Sequence, residues 1–140
     1  MFSEQSIIDL LQPTGYNVEE FPDTEFDVYS VIDTRLPIIY VGYATIDAEK
    51  TSLPLVYDLY HQHGENLIQH FDIRIVCNKE DLPTLFIAVH GALVGKVPAG
   101  QIQDTIGLTL AQSGLMGKNN GICHWLSRYR VALPTLFTLF

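Results

Sequence analysis

The chain has 140 residues, 47% hydrophobic and 17% charged, with a formal net charge of −8; a disordered chain would be poorer in apolar residues and richer in charge, so a single folded domain over residues 1–140 is expected, large enough to bury about two-thirds of its unfolded surface. The acidic balance excludes a surface that grips nucleic acid, because that affinity comes chiefly from Lys and Arg neutralising phosphates. No apolar run approaches the ~20 residues that span a bilayer, and Met1-Phe2-Ser3-Glu4 lacks the basic start of a secretory signal, so no membrane association is expected and the chain reads as cytosolic.

In chain order, Ser3-Glu4-Gln5-Ser6 followed by Ile7, Ile8, Leu10 and Leu11 predicts a capped amphipathic helix stopped by Pro13 and Gly15. Residues 16–32 are acidic and mixed; Phe26, Val28, Tyr29 and Val31 offer a strand without a clean period. Residues 36–46 (LPIIYVGYATI) are rich in β-branched and aromatic side chains, with Pro37 at the entrance where a missing donor is tolerated, and predict a strand. Residues 52–64 fit neither period and read as a long loop or hairpin.

Phe71, Ile73, Ile75 and Cys77 alternate with His70, Asp72, Arg74 and Val76, the period of a strand with one buried face. Leu82, Leu85, Phe86, Val89, Ala92 and Leu93 then recur at helical spacing, with Asp81 as N-cap and Gly95 as terminator. Burying Leu82, Leu85, Phe86 and Leu93 of this main helix against the sheet would contribute roughly 6–12 kcal/mol. Residues 105–112 predict a strand, the Gly- and Asn-rich stretch 113–121 a mobile loop, and residues 122–133 a long strand. In that strand Cys123, Trp125, Ser127, Tyr129, Val131 and Leu133 share one face, and Arg128 and Arg130 the other. Residues 134–140 (PTLFTLF) form an apolar tail expected to dock on its own sheet or on a neighbour. The order helix, strands, helix, strands is α+β: a mostly antiparallel sheet with one main helix packed on it and a short N-terminal helix.

Residues that could carry chemistry do not combine. His61 and His63 would need further zinc ligands, and His70, His90, His124, Cys77 and Cys123 stand at no zinc-site spacing. Cys123 and His124 are adjacent in a strand and point to opposite faces, so they are not a nucleophile and its base. Cys77 and Cys123 read as reduced and buried, without a disulfide. Asp72 and Arg74 read as an exposed pair on a solvated strand face. Gly91 reads as a point of close approach between helix and sheet; with Gly95 it is no phosphate loop, whose glycines precede the helix. No cofactor, metal or enzymatic activity is expected. Mean hydropathy of +0.15 is high for a small acidic monomer and points to apolar surface covered by partners.

Charge is divided along the chain. Residues 1–34 hold Glu4, Asp9, Glu19, Glu20, Asp23, Glu25, Asp27 and Asp33 and no Lys or Arg; residues 105–140 hold Lys118, Arg128 and Arg130 and no acid. The ends either neutralise one another within one copy or join an acidic face of one copy to a basic face of the next. The candidate interface residues are therefore Arg128, Arg130 and Lys118 on one side, Glu19, Glu20, Asp23, Glu25 and Asp27 on the other, and Phe137 and Phe140 of the apolar tail.

The N-terminal helix, the strand opening LPIIYVGYA (36–44), the strand HFDIRIVCN (70–78), the helix LPTLFIAVHGALVGKVP (82–98) and the strand ending WLSRYRVAL (125–133) follow one another in an order that resembles the tail terminator proteins of tailed bacteriophages, together with the related tail completion and minor tail proteins. The likeness rests on the order of elements and leaves out residues 16–35 and 47–65. It implies a structural virion protein of the tail, assembled in the host cytoplasm. It further implies a homo-oligomeric ring, usually of six copies, at the head-proximal end of the tail tube, where it stops polymerisation and offers the surface for head-tail joining. The implied partners are the tail tube protein and a head-proximal connector or neck protein, and DNA passes through the lumen without specific binding. An acidic lumen would suit that passage, since like charge prevents sticking. The segments 47–65 and 113–121 are expected to reach neighbours. Two other readings remain: another head-tail connector, or a small α+β ligand-binding protein that uses His90 or His124 in a cavity between sheet and helix.

Overall fold

A computed structural model describes residues 2–30, 33–50, 65–98 and 107–134. The first helix, α1 (Glu4–Leu11), starts with a reciprocal cap: Ser6 N donates to Ser3 Oγ (3.2 Å) and Ser3 N to Ser6 Oγ (3.4 Å), so Ser6 fills the role usually held by Glu or Gln. It buries Ile7, Ile8 and Leu11. A 3-10 turn over Gln12–Thr14 follows, and Gly15, at φ 80°, reverses the chain in the left-handed region.

Strand β1 (Asn17–Glu20) then pairs in parallel with the start of β2 (Ile38–Lys50), Asn17 opposite Ile38 and Glu20 opposite Val41. The strand offered by the residues after Phe26 does not form: Val28–Ser30 is a 3-10 turn, with Tyr29 N donating to Asp27 Oδ1 at 3.0 Å. Phe26, Val28 and Tyr29 lack the period of two because they bury together against the sheet instead of pairing with it. The Leu36–Pro37 peptide at the entrance to β2 is cis.

Strand β3 (Glu65–Asn78) is antiparallel to β2, β5 (Ile122–Pro134) is antiparallel to β3, and β4 (Thr109–Asn119) closes the sheet, in the order β1-β2-β3-β5-β4. The architecture is the expected α+β, with α1 and α2 (Leu82–Leu93) packed on each other and on one face of the sheet. The core between them holds Ile39, Val41, Phe71, Ile73, Ile75, Cys77, Tyr129 and Val131 of the sheet and Ile7, Leu11, Leu85, Val89 and Leu93 of the helices. Leu85 and Leu93 are fully buried, whereas Leu82 and Phe86 are only half-buried. The gain from the four expected contributors therefore falls nearer the lower bound, about 6 kcal/mol.

Central placement makes β3 buried on both faces, not one: Val76 (0% exposed) and Asp72 (8%) lie opposite the helix-side residues. Asp81 occupies the N-cap position of α2 without a side-chain cap bond, because the chain enters through a 3-10 turn over Lys79–Asp81. Gly95 ends the helix at φ 75°, as expected. Gly91 does not mediate close approach, since a Cβ there would meet nothing within 4 Å. The tight glycine is Gly107, where a Cβ would strike the backbone of Gly95; Gly95 N donates to Leu108 O (2.8 Å) and Leu108 N to Lys96 O (2.9 Å).

The largest difference from the sequence reading is within residues 113–121, of which 113–119 continue β4 instead of forming a loop. The hairpin turns on Asn120 (φ 52°) and Gly121 (φ 79°) alone, the pair of left-handed residues that matches strand twist. Segment 52–64, read as a long loop or hairpin, lies outside the described residues.

Candidate assembly surfaces

The sheet face away from the helices is covered at one end by the chain between β1 and β2. Phe21, Phe26 and Tyr40 meet edge to face, with centroids 5.5 to 5.9 Å apart, above Ile38 and Val76. Tyr29 reaches across to β5, its ring edge-on to His124 at 6.4 Å and its hydroxyl over Gly117, where any Cβ would collide. The Arg74 guanidinium lies 4.7 Å from the centre of the Phe21 ring and 3.3 Å from His124 Nε2. Burial, and secondarily the Arg74 charge, holds the His124 imidazole below its ordinary value.

This arrangement corrects the reading of Asp72 and Arg74 as a solvated pair. Asp72 instead accepts a two-pronged bond from Arg128 of β5, directly across from it, with Nε to Oδ1 at 2.8 Å and Nη2 to Oδ2 at 3.1 Å. Cross-strand register decides the partner, and spacing along one strand cannot reveal it.

The candidate interface residues separate accordingly. Arg128 is engaged inside its own copy, and Arg130, half-buried, faces His70 and Thr109 in register. Lys118 stands exposed on β4, one edge of the sheet. Glu19 and Glu20 are on β1, the opposite edge; Glu19 accepts from Arg35 Nη2 at 2.5 and 2.6 Å, and Glu20, Asp23, Glu25 and Asp27 are exposed. Partial burial, then the charges of Glu20 and Asp23, push the Glu4 carboxyl above its ordinary range, so these acids share one neighbourhood. Phe137 and Phe140 lie outside the described residues.

The potentially reactive groups are absorbed into packing. His90 stacks on Phe86 (5.6 Å between centroids), and its Nδ1 lies 3.1 Å from the hydroxyl of Tyr129, whose phenol burial pushes up to about 12. His124 is on the other face of the sheet, so the two histidines do not share a cavity. Cys77 and Cys123 are cross-strand neighbours, both free and buried; burial first, then Cys123, push the Cys77 thiol up to about 12, which keeps it protonated. A shallow groove of about 280 Å³ is lined by Tyr16, Pro37, Asp81, Thr84 and Leu85, and by neither histidine. Among the described residues, no three His, Cys, Asp or Glu side chains converge as metal ligands.

Two features escape the sequence reading. Gln69, fully buried, holds the chain ahead of α1: Phe2 N donates to its Oε1 (3.0 Å), and its Nε2 donates to Phe2 O (2.6 Å) and Tyr43 Oη (2.5 Å). An apolar patch also spans the β4 side of the helical face, where Leu115 (48% exposed) stands opposite half-buried Trp125, whose ring meets that of half-buried Phe86 at 6.0 Å. Its local signal is the Asn120-Gly121 pair, which marks a tight hairpin and so turns residues 113–119 into an edge strand.

These surfaces define an α+β domain whose buried polar residues Gln69, Asp72, His124 and Ser127 have partners within the chain and whose two sheet edges are unlike. The sequence matches no protein-family profile and no curated protein. Among solved structures, a chain from the "Virion of native gene transfer agent (GTA) particle" is similar with a TM-score of 0.56 and 14% identity, over 94% of each chain. At that identity the likeness is one of fold.

Proposed function

We propose that this chain is a structural virion protein of a phage-like particle, which forms a ring of six copies at the head-proximal end of the tail tube, ends tube growth and provides the head-tail joining surface. The observation that carries the reading is the end-to-end likeness of fold to a chain of a gene transfer agent virion, over 94% of both chains. The element order that resembles tail terminators supports it independently. So do the opposite sheet edges, acidic at Glu20, with Glu19 held by Arg35, and basic at Lys118, because a head-to-tail ring brings different patches of neighbouring copies into contact. Its partners are further copies of itself, the tail tube protein and a connector or neck protein, with DNA passing through a non-binding lumen. The protonated Cys77 thiol and the internally engaged His90 and His124 agree with a role that is not enzymatic.

Electron microscopy of particles assembled without the chain tests this. Overlong tubes are expected. Normal-length tails detached from heads would favour a neck protein instead, and normal, joined tails would refute both.

A further inference from the structure

We infer that residues 135–140 of one copy seat on the Phe86, Leu115 and Trp125 patch of a second copy, along the outer edge of β4. The patch and the segment match in chemistry. Segment 135–140 (TLFTLF) carries no charge, and Leu136, Phe137, Leu139 and Phe140 make it predominantly apolar. The patch is apolar, and its one polar ring atom is already engaged: Trp125 Nε1 donates to Ser113 Oγ at 2.8 Å and to Ser127 Oγ at 3.2 Å. Beside it, β4 pairs with β5 alone among the described residues, so its outer backbone groups can accept an added strand.

Chain length decides between docking within one copy and docking between copies. Trp125 and Pro134 belong to the same strand, β5, which pairs with β3 without a register break. Nine residues at about 3.3 Å each put them about 30 Å apart. Six residues beyond Pro134, fully extended, reach about 20 Å. Segment 135–140 can fold back only to about the level of Arg128, so its own copy's Leu115 and Trp125 are beyond its reach. A tail on this patch belongs to another copy. The inference rests on self-assembly as proposed above, but not on where in the particle assembly occurs.

The test uses two full-length variants. Phe137→Asp/Phe140→Asp disables the tail and leaves the patch; Leu115→Asp disables the patch and leaves the tail. Native mass spectrometry should show the parent as an assembly, each variant alone as a monomer, and an equimolar mixture as a two-chain complex. That complex pairs the Leu115→Asp tail with the intact patch of the other variant, and it cannot grow further. Retention of the parent mass by either variant, or a mixture that stays monomeric, overturns the seating. A peptide of residues 134–140 provides a readout independent of variant assembly: it should blue-shift the emission of Trp125, the only tryptophan, in the Phe137→Asp/Phe140→Asp chain. An unshifted spectrum at saturating peptide overturns the inference. A tail-length defect with no tail-patch exchange would leave the virion reading standing and remove this one alone.

Discussion

Replacing Arg128 by Met tests whether this residue serves the fold or an interface. The substitution keeps much of the apolar stem but removes both bonds to Asp72, whose side chain is 11% exposed against 34% for that of Arg128. Leaving one member of a buried pair without its partner costs about 3–5 kcal/mol; solvent access from the Arg128 side lowers this to about 2–3 kcal/mol. For a domain of this length, at about 3–5 °C per kcal/mol, the melting temperature should fall by about 6–15 °C, followed by Trp125 fluorescence. Asp72→Asn removes the charge that needs the guanidinium, so the double variant should be less destabilised than the two single effects together, by about 1.5 kcal/mol or more. An unchanged melting temperature in Arg128→Met, accompanied by lost assembly, would refute this reasoning and return Arg128 to the interface. Reversing Arg128 to Glu is a poor interface probe for the same reason, because it sets two carboxylates side by side.

Gly121→Ala should cost about 1–2 kcal/mol in chemical denaturation from its left-handed backbone alone, since a Cβ at Gly121 meets nothing within 4 Å. Gly107→Ala should cost more than Gly91→Ala, because only the former drives a Cβ into backbone, that of Gly95; equal losses would contradict the close approach. For His124 the folded-state value lies below the ordinary 6.5, so the unfolded chain takes up a proton first as pH falls. Its neutral burial is therefore without penalty above about 6.5, and stability drops as pH descends below that value until the folded imidazole also protonates. His124→Gln should flatten this part of the stability profile between pH 7.5 and 5.5; an unaltered slope would show that other groups set it.

Legibility in the sequence follows how local the determining physics is. The cap at Ser3, the helical spacing of Leu85, Val89 and Leu93 and the alternation in β3 and β5 are decided within a few residues, and the structure has them where the sequence puts them. β1 is missed because Asn17–Glu20 has no apolar pattern of its own and is a strand only through parallel pairing with β2. The first residues of β4 fall within the strand expected over 105–112, but its continuation over 113–119 is missed for a different reason: Gly114, Gly117 and Asn119 resemble a loop, yet Gly117 is small because Tyr29 lies over it. For the candidate surfaces, Glu20, Asp23, Glu25 and Asp27 are exposed as charge alone suggests while Glu19 is drawn to Arg35, and the basic group divides likewise, Lys118 at an edge and Arg128 drawn to Asp72. That pairing is a matter of cross-strand register, which no local pattern encodes.

The central claim concerns position in the particle, and labelling reaches it most directly. An antibody against the chain, bound to intact particles and viewed by electron microscopy, should mark the head-proximal end of the tail and nothing else. Label along the tube or on the capsid, or intact particles that never carry it, would contradict the account.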